Sequence, residues 1–231
     1  MQFKNLEDKC TYYRSLTDYR LLPNSYVIAM LDGRSFSKNV KNKFEKPFDN
    51  DFVNAMNETA KYLCENVQGV KAAYVQSDEI SLLIKDSSES DVFFGGRLCK
   101  MQSIMAALAS TKFTQIMTHN ALKKVPCSKN DAIDMVLDMP LYEFDCKVWT
   151  VPNANDAFAW FLWRQIDCIR NSKQQAAQTY CSYKELLRLD TDKQIAFLKE
   201  KTGIDWYTAY NDGVKYGRII VQQPETITKD V

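Results

Sequence analysis

The chain has 231 residues with 30 Lys and Arg, 29 Asp and Glu and a formal net charge of +1, a length that suits one substantial core with an appended subdomain. Hydrophobic residues at 45% and charged residues at 26% are ordinary for a globular protein, and the near-neutral charge excludes a polycation that binds nucleic acid over its whole surface. No apolar run is long enough to span a membrane, and the N-terminal residues lack the apolar region of a signal peptide, so we expect a cytoplasmic protein, with organellar import left open.

Histidine and cysteine chemistry is sparse in this sequence. The one histidine, His119, lies in a helical run, where a structural or solvent-facing role is favoured, and it leaves little room for a histidine metal site or a Ser-His arrangement. The seven cysteines show no CxxC or zinc spacing, which is typical of reduced thiols. Any chemistry should therefore depend on carboxylates and cations.

The first part of the chain alternates strand and helix signals. An amphipathic helix is expected within residues 1–22, before Pro23, and helical apolar spacing recurs at 50–67 and from Gly96 to about Leu122. Apolar runs of strand length lie between and after these helices, namely Tyr26–Leu31, Lys71–Gln76, Ile80–Lys85 and Ala132–Leu137. The order β-α-β-β-α-β predicts a ferredoxin-like α+β palm, which we place at residues 1–140.

The second part of the chain is richer in helices. The expected elements are a strand at Cys146–Val151, an aromatic-rich helix at Asn153–Arg170, helices near 172–180, 182–189 and 191–202, and a closing strand at Tyr216–Gln222. The aromatic side chains of the first of these helices favour a core or an interface over a base-stacking platform. We predict that residues 141–231 form a C-terminal extension packed on the palm.

Acidic residues follow the first and the second of the predicted strands. Asp32 and Gly33 follow the first strand, and Asp78 and Glu79 lie between two apolar runs. Taken locally, these residues are an ordinary turn and a polar hairpin tip. In the split β-α-β topology, however, the first and second strands are parallel with the third between them, which brings both places to one edge of one sheet. The topology therefore predicts a carboxylate cluster.

Such a cluster suits hard divalent cations. Two or three carboxylates can hold two Mg²⁺ ions about 3.5–4 Å apart for an in-line phosphoryl transfer, in which the protein mainly positions the reactants and neutralises phosphate charge. Gly33 allows a close approach of the backbone. The cations expected at a triphosphate are Arg34, Lys46, Arg97 and Lys100. The residues themselves thus favour nucleotidyl transfer.

At these positions the chain resembles the tRNA-histidine guanylyltransferase family, which includes the guanylyltransferase-like 3′-to-5′ RNA polymerases. The similarity extends from about residue 26 to 190, and the first and third blocks are the most specific. The matching blocks are Leu31–Phe36, Lys43–Asp49, Ala73–Ser81, Asp145–Trp149 and Trp163–Ser172.

The resemblance implies specific roles. Asp32 and Asp78 would bind the metal ions with help from the Gly33 carbonyl, and Glu79 would be the essential neighbouring acid. Lys46 and Ser77 would serve the activation step, with Arg97 and Lys100 on the triphosphate. The further nucleotide contacts expected are Arg34, Ser35, Phe36 and Ser37, and the expected RNA contacts are Arg164, Arg170, Asn171 and Lys184. The expected cofactor is Mg²⁺, with ATP, GTP and other NTPs as substrates, and the expected assembly is a homotetramer that binds tRNA.

Two departures select a branch of this family. Ser37 stands where the eukaryotic guanylyltransferases carry a histidine, and Cys168–Ser172 replaces a His-Ile-Asn-Asn stretch. Both departures are similar to the guanylyltransferase-like branch, which implies template-dependent addition of nucleotides to the 5′ end of truncated tRNA after activation of that end. The second interpretation is addition of G at position −1 of histidine tRNA.

Two other classes of protein remain as alternatives. Some nucleotide cyclases place acids on the same palm, although the blocks Lys43–Pro47 and Trp163–Ser172 favour an enzyme of tRNA ends. A non-catalytic RNA-binding ferredoxin-like domain stacks bases on exposed sheet aromatics, and the predicted strands offer only Tyr26 and Tyr74.

Overall fold

Five antiparallel strands form one sheet at the centre of the protein. The computed structural model describes residues 3–36, 44–85, 93–124 and 129–221. The spatial order is β4-β1-β3-β2-β5, so the first and second strands are parallel with the third between them, as the sequence predicts. The strands are β1 (Tyr26–Gly33), β2 (Val70–Gln76), β3 (Glu79–Lys85), β4 (Phe144–Val151) and β5 (Arg218–Val221).

Nine α-helices belong to the described part of the chain, and several begin at an Asn or Asp that accepts a hydrogen bond from the first turn. Asp49, Asn153 and Asp190 cap three of the longest in this way. The helices are α1 (Leu6–Ser15), α2 (Asn50–Asn66), α3 (Leu98–Lys124), α4 (Lys129–Leu137), α5 (Ala154–Tyr180), α6 (Tyr183–Leu186), α7 (Thr191–Thr202), α8 (Trp206–Ala209) and α9 (Asp212–Tyr216).

Helices α2 and α3 cover one face of the sheet. Alternation along β1 sends Val27, Ala29 and Leu31 to this face, where they join a buried cluster with side chains of both helices. An aromatic cluster lies below the end of β1. The ring centres of Phe36 and Phe113 are 5.4 Å apart, and both rings contact those of Phe52, Tyr142 and Phe144. The end of β1 therefore rests on a tightly packed core.

Helix α5 crosses the other face of the sheet. Its Trp160 indole N–H donates to Ser81 Oγ of β3 at 3.2 Å, which places α5 on the face opposite Leu31. The C-terminal half of α5 packs with α7 around Leu198 and the fully buried Trp206 in a second apolar cluster. The extension is thus anchored on the sheet by one long helix.

Three sequence predictions need correction. Residues 132–137 form part of helix α4 rather than a strand, since their apolar positions Ile133, Val136 and Leu137 follow helical spacing; β4 takes the place of the fourth strand. The helices expected at 153–170 and 172–180 are one helix, since no glycine or proline interrupts residues 154–180.

The outer elements differ from the predictions mainly in extent. Helix α1 covers only residues 6–15 of the expected 1–22, and β5 begins at Arg218 because helix α9 includes Tyr216. The division at residue 140 stays a prediction, while β4 and β5, which follow it, both pair with the central sheet.

In the part of the chain that the structure describes, no helix is long and apolar enough to cross a membrane.

Two glycines offer a matched test of the fold. Gly217, with φ +83° and ψ 179°, lies where a Cβ would come within 2.3 Å of the Tyr74 hydroxyl oxygen, whereas Gly203, with φ +76°, has no neighbour within 4 Å of such a Cβ. Gly203→Ala should therefore cost only backbone strain, about 1 kcal/mol of the free energy of unfolding. Gly217→Ala adds a clash and should cost at least about 3 kcal/mol.

Urea unfolding of the two variants and the unchanged protein measures this difference. The Tyr74 hydroxyl also donates to the Tyr216 carbonyl at 2.9 Å, so the ring cannot move aside without losing that bond. Equal losses in both glycine variants would contradict the packing described for β2 and β5.

Candidate active site

The site begins at the end of β1, where burial alternates along the strand. Leu31 and Gly33 are buried toward α2 and α3, so the half-buried Asp32 lies on the opposite face. In the antiparallel register, Asp32 is opposite Glu79 of β3 on one side and Asp145 of β4 on the other. Three acidic residues therefore share one row across the sheet.

The tight turn between β2 and β3 brings a fourth carboxylate to this edge. Ser77 adopts a left-handed conformation with φ +44°, which allows β2 to turn directly into β3. The Gly33 backbone N–H donates to the Asp78 carbonyl oxygen at 3.1 Å. The end of β1 and the hairpin tip therefore meet in space as the predicted topology requires.

Electrostatic repulsion is concentrated at Asp32. Burial and then the negative charges of Asp78, Asp145 and Glu79 raise the pKa of Asp32 from 3.8 to about 6, against a smaller opposing effect of Lys147. Burial also raises the pKa of Asp78, although a hydrogen bond from the Ser77 side chain opposes this. Neither Asp32 nor Asp78 forms an ion pair with another residue of the described ranges. Among the described residues, the edge thus carries more negative charge than ion pairs neutralise.

This charge excess fits a divalent cation bound mainly by substrate and water. Within the described ranges, no three side chains of His, Cys, Asp or Glu converge closely enough to hold a metal ion alone. Asp32, Asp78 and the Gly33 carbonyl would supply two carboxylates and one backbone oxygen. Mg²⁺ usually binds one or two carboxylates together with waters and phosphate oxygens, so this donor set suits it.

Glu79 does not share this exposed edge. Its carboxylate is buried, and both of its oxygens accept hydrogen bonds from the Arg164 guanidinium of α5, from Nε at 2.8 Å and from Nη2 at 2.6 Å. The sequence analysis grouped Glu79 with Asp32 and Asp78 as a catalytic acid. The structure places it beside them in the sheet and gives its carboxylate a separate partner.

The predicted RNA contacts occupy different environments. The side chain of Arg164 is only 10% exposed and is held by Glu79 and Asp167, which leaves little of it free to contact RNA; its predicted role stays a prediction. Arg170 and Asn171 are exposed, and both donate to the Asp167 carboxylate. Lys184 is exposed on helix α6.

The predicted nucleotide contacts after β1 divide between surface and core. Arg34 is exposed and pairs with Glu143 at 2.7 Å, and Ser35 is exposed in a left-handed conformation. The ring of Phe36 is buried in the aromatic cluster below β1, so only its backbone is open to a nucleotide, and its predicted role stays a prediction. Ser37 lies outside the described residues.

The remaining nucleotide-binding candidates are all exposed. Lys46 precedes a cis peptide bond to Pro47, and Ser77 lies at the hairpin turn beside Asp78. Arg97 donates to Asp18 at 2.8 Å at the start of α3, and the Lys100 amino group lies 4.6 Å from the centre of the Phe94 ring. These cations are accessible to a ligand, although Arg97 already has an acidic partner.

Sequence reasoning missed Asp145 and Lys147. Both are exposed, and their charges act on the pKa of Asp32 in opposite directions. Alternation along β4 puts the two on the Asp32 face, with Asp145 opposite Asp32 and Lys147 opposite Met30. The strand signal lies in the Asp145–Trp149 block, but the apolar residues of 132–137 also suit a strand and compete for the place beside β1.

Comparison with known proteins agrees with this arrangement. The family model described as "Thg1: tRNAHis guanylyltransferase" matches residues 8–152. This chain belongs to the tRNAHis guanylyltransferase family. The matched residues include β1, the β2–β3 hairpin and β4, so they contain the whole acidic row.

Individual relatives support the assignment. The chain is 28% identical over 94% of its length to a protein of Acanthamoeba polyphaga mimivirus, and 29% identical over 87% of its length to tRNA(His) guanylyltransferase 1 of Arabidopsis thaliana. It spans 76% of the viral protein but 35% of the Arabidopsis protein. A bacterial tRNA(His) guanylyltransferase (Thg1)-like protein in complex with ATP superposes with a TM-score of 0.84 at 30% identity, covering 95% of this chain and 89% of that one.

These findings confirm the predicted family and the α+β fold. They also confirm the predicted enzyme class, since members of this family are nucleotidyltransferases that act on tRNA. The roles assigned to individual site residues stay predictions.

The raised pKa of Asp32 predicts a cost to stability. A folded-state pKa near 6 means that the fold favours the protonated acid, so this contribution to stability is full below pH 3.8 and is lost as the pH rises through 6. In metal-free protein, Asp32→Asn should therefore raise the free energy of unfolding at pH 8 by about 1–2 kcal/mol, after allowance for partial solvent exposure. The gain should shrink at pH 4.5.

Denaturant unfolding in the presence of a chelator at both pH values measures this effect. The control is Asp138→Asn, which changes an exposed carboxylate outside the sheet and should have the same small effect at both pH values. A loss of stability in Asp32→Asn at pH 8 would contradict the electrostatic account of the edge.

Proposed function

We propose that this protein is a template-dependent 3′-to-5′ nucleotidyltransferase that adds nucleotides to the 5′ end of truncated tRNA. The observation that carries the proposal is the pairing of Asp32 with Asp78 at the open edge of the palm. These two carboxylates form no ion pair with another described residue, and a pair of this kind suits a metal ion that carries a polyphosphate. The choice of repair over other reactions rests on the sequence departures at Ser37 and Cys168–Ser172.

In this proposal the reaction has two transfers. The 5′-phosphate of the tRNA attacks the α-phosphate of ATP and releases pyrophosphate, which leaves an adenylylated 5′ end. The 3′-hydroxyl of the incoming nucleotide then attacks the 5′-phosphate, forms the new phosphodiester and releases AMP. An RNA that already carries a 5′-triphosphate would release pyrophosphate in the second transfer instead.

The residues of the chain would position these groups. Asp32, Asp78 and the Gly33 carbonyl would hold Mg²⁺, which when bound polarises phosphate oxygens and favours attack by a hydroxyl. Arg34 and Arg97 carry exposed guanidinium groups that match phosphate oxygens in geometry, and Lys100 adds a point charge. The ATP complex of the bacterial Thg1-like protein supports a nucleotide site in this fold.

Addition of G at position −1 of histidine tRNA is the second candidate. The names of the curated relatives favour it, including that of the Arabidopsis protein at 29% identity. Both candidates use the same carboxylates, so the choice between them depends on the tRNA and not on the metal site.

An extension assay separates the two reactions. The substrate is a 5′-labelled tRNA that lacks its first nucleotide, supplied with Mg²⁺, ATP and all four NTPs. Repair restores only the nucleotide complementary to position 72, whatever base stands there. Addition of G beyond a complete 5′ end, with no templated repair, would favour the histidine-tRNA reaction instead.

Two variants calibrate this assay. Asp78→Asn should lower the rate at least about 100-fold, because loss of a metal ligand removes several kcal/mol of stabilisation from the transition state. Asp138→Asn, which changes an exposed carboxylate outside the sheet, should retain the rate. Failure of the unchanged protein to extend any tRNA that it demonstrably binds would contradict the proposal.

We further propose that the protein works as a cytoplasmic homotetramer. The supporting observation is an apolar stripe on α5, where Phe158, Leu162 and Ile166 lie four residues apart and are 67%, 45% and 58% exposed. Contact between chains would cover this stripe. It would also bring together the surface cations of several copies into one basic surface for RNA, which a single chain with a net charge of +1 does not provide.

Light scattering tests this assembly. The unchanged protein should show a mass four times that of one chain, and Ile166→Glu should lower it because a charge would be buried in the interface. The control is Ile133→Glu on α4, where the replaced side chain is 57% exposed outside the stripe. An unchanged mass in Ile166→Glu would contradict the role of the stripe.

A further inference from the structure

The buried contact between Glu79 and Arg164 links helix α5 to the β2–β3 hairpin. The two side chains are 7% and 10% exposed, and the guanidinium binds both carboxylate oxygens in a fork. A fork of this kind fixes direction as well as distance, which a single lysine contact does not. The carboxylate therefore has one well-defined position.

Other groups hold both partners in place. Ser81 Oγ donates to Glu79 Oε1 at 3.3 Å and accepts the Trp160 indole N–H at 3.2 Å. On the other side, the Arg164 guanidinium carbon lies 4.6 Å from the centre of the Trp163 ring. Arg164 also donates to Asp167 at 2.9 Å, so the guanidinium is shared between two carboxylates.

The same contact removes one carboxylate from the acidic row. Glu79 is opposite Asp32 in the register and follows Asp78 directly, so its side chain starts beside the metal-binding edge. Even so, no three acidic side chains of the described residues are arranged to hold a metal ion together. For Glu79 the Arg164 fork accounts for this, because it holds both oxygens of that carboxylate on α5.

We propose that Arg164 is a positioning residue that acts through Glu79: it keeps this carboxylate away from the divalent cation, so that Asp32 and Asp78 alone supply the carboxylate ligands. The proposal rests on the proposed function, which places the cation at this edge. It assigns Arg164 to the arrangement of the active site rather than to RNA.

Removal of Arg164 has a definite consequence under this proposal. A buried carboxylate that loses its counter-charge must find another cation, since an unpaired charge is costly in the interior. A divalent cation at Asp32 and Asp78 would be within reach, because Glu79 is opposite Asp32 and follows Asp78 in the chain. Glu79 would then become a third ligand, so the cation would bind more tightly and in a position that does not suit the transfer.

The primary test measures Mn²⁺ binding in the absence of nucleotide, from the electron paramagnetic resonance signal of the free ion. Arg164→Met should lower the dissociation constant at least about fivefold, about 1 kcal/mol of added binding energy. The double variant E79Q/R164M should return it to the value of the unchanged protein, because no carboxylate is released. Arg164→Lys, which keeps the charge but not the fork, should show a smaller effect in the same direction.

A neighbouring arginine provides the control for metal binding. Arg170 lies on the same helix and pairs with the same Asp167, but its side chain is 60% exposed and it does not contact Glu79. Arg170→Met should therefore leave the dissociation constant for Mn²⁺ unchanged. Circular dichroism and a cooperative thermal transition establish that each variant is folded; if Arg164→Met is not, Arg164→Lys decides the test.

Nucleotide addition gives a second readout. In folded Arg164→Met, kcat should fall at least about tenfold while KM for the nucleotide stays within about threefold, since the change affects the reacting geometry and not the nucleotide contacts. A purely structural role would lower stability and leave kcat per folded molecule unchanged.

The outcomes separate this inference from the proposed function. Unchanged or weaker Mn²⁺ binding in the variant that decides the test would overturn the inference, as would an unchanged kcat in an enzyme that is active before substitution. If the unchanged protein transfers no nucleotide, the proposed function fails, and Mn²⁺ binding alone still judges the role of Arg164.

Discussion

The pairing register of β1 with its two neighbours is the constraint on which the site depends. Because β1 lies between β3 and β4, Asp32 has an acidic residue opposite it on either side, Glu79 and Asp145. Side chains alternate strictly along a strand, so a shift of one residue would turn Asp32 into the core formed with α2 and α3. The buried residues Leu31 and Gly33 hold the register, and the aromatic cluster beneath them makes any shift costly. The packing of one face thus fixes the chemistry of the other.

Repulsion within the acidic row is limited by giving its members different surroundings. Asp32 and Asp78 are half-buried, and burial raises the pKa of both, so their negative charges are costly in the absence of a cation and would be stabilised by one. Glu79 is buried and neutralised by Arg164, and Asp145 is exposed with Lys147 two residues away on the same face. The three neighbouring carboxylates of the row therefore differ in their surroundings: Asp32 has no ion pair with a described residue, Glu79 is held by Arg164, and Asp145 is exposed near Lys147.

Much of this could be predicted from the sequence, because the strands and the hairpin have strong local signals. The apolar run before Asp32 and the acids between two apolar runs sufficed to predict the meeting of β1 with the hairpin. The position of β4 was not predictable in the same way, because the apolar residues of 132–137 suit either a strand or a helix and only tertiary contacts decide. Asp145 was missed for that reason. The partner of Glu79 was equally hidden, since 85 residues separate it from Arg164 and no periodicity links them.

Burial gives otherwise similar ion pairs different uses in this protein. Arg34 with Glu143 and Arg97 with Asp18 are exposed pairs, and pairs of this kind contribute only about 0–1 kcal/mol. If these arginines bind a polyphosphate as proposed, it would displace the acidic partner from either of them at little cost. The buried pair at Glu79 cannot be exchanged in this way, because separating it would leave a charge without solvent or partner. Exposed pairs are thus suited to receive the substrate, whereas the buried pair is suited to maintain the geometry that the substrate meets.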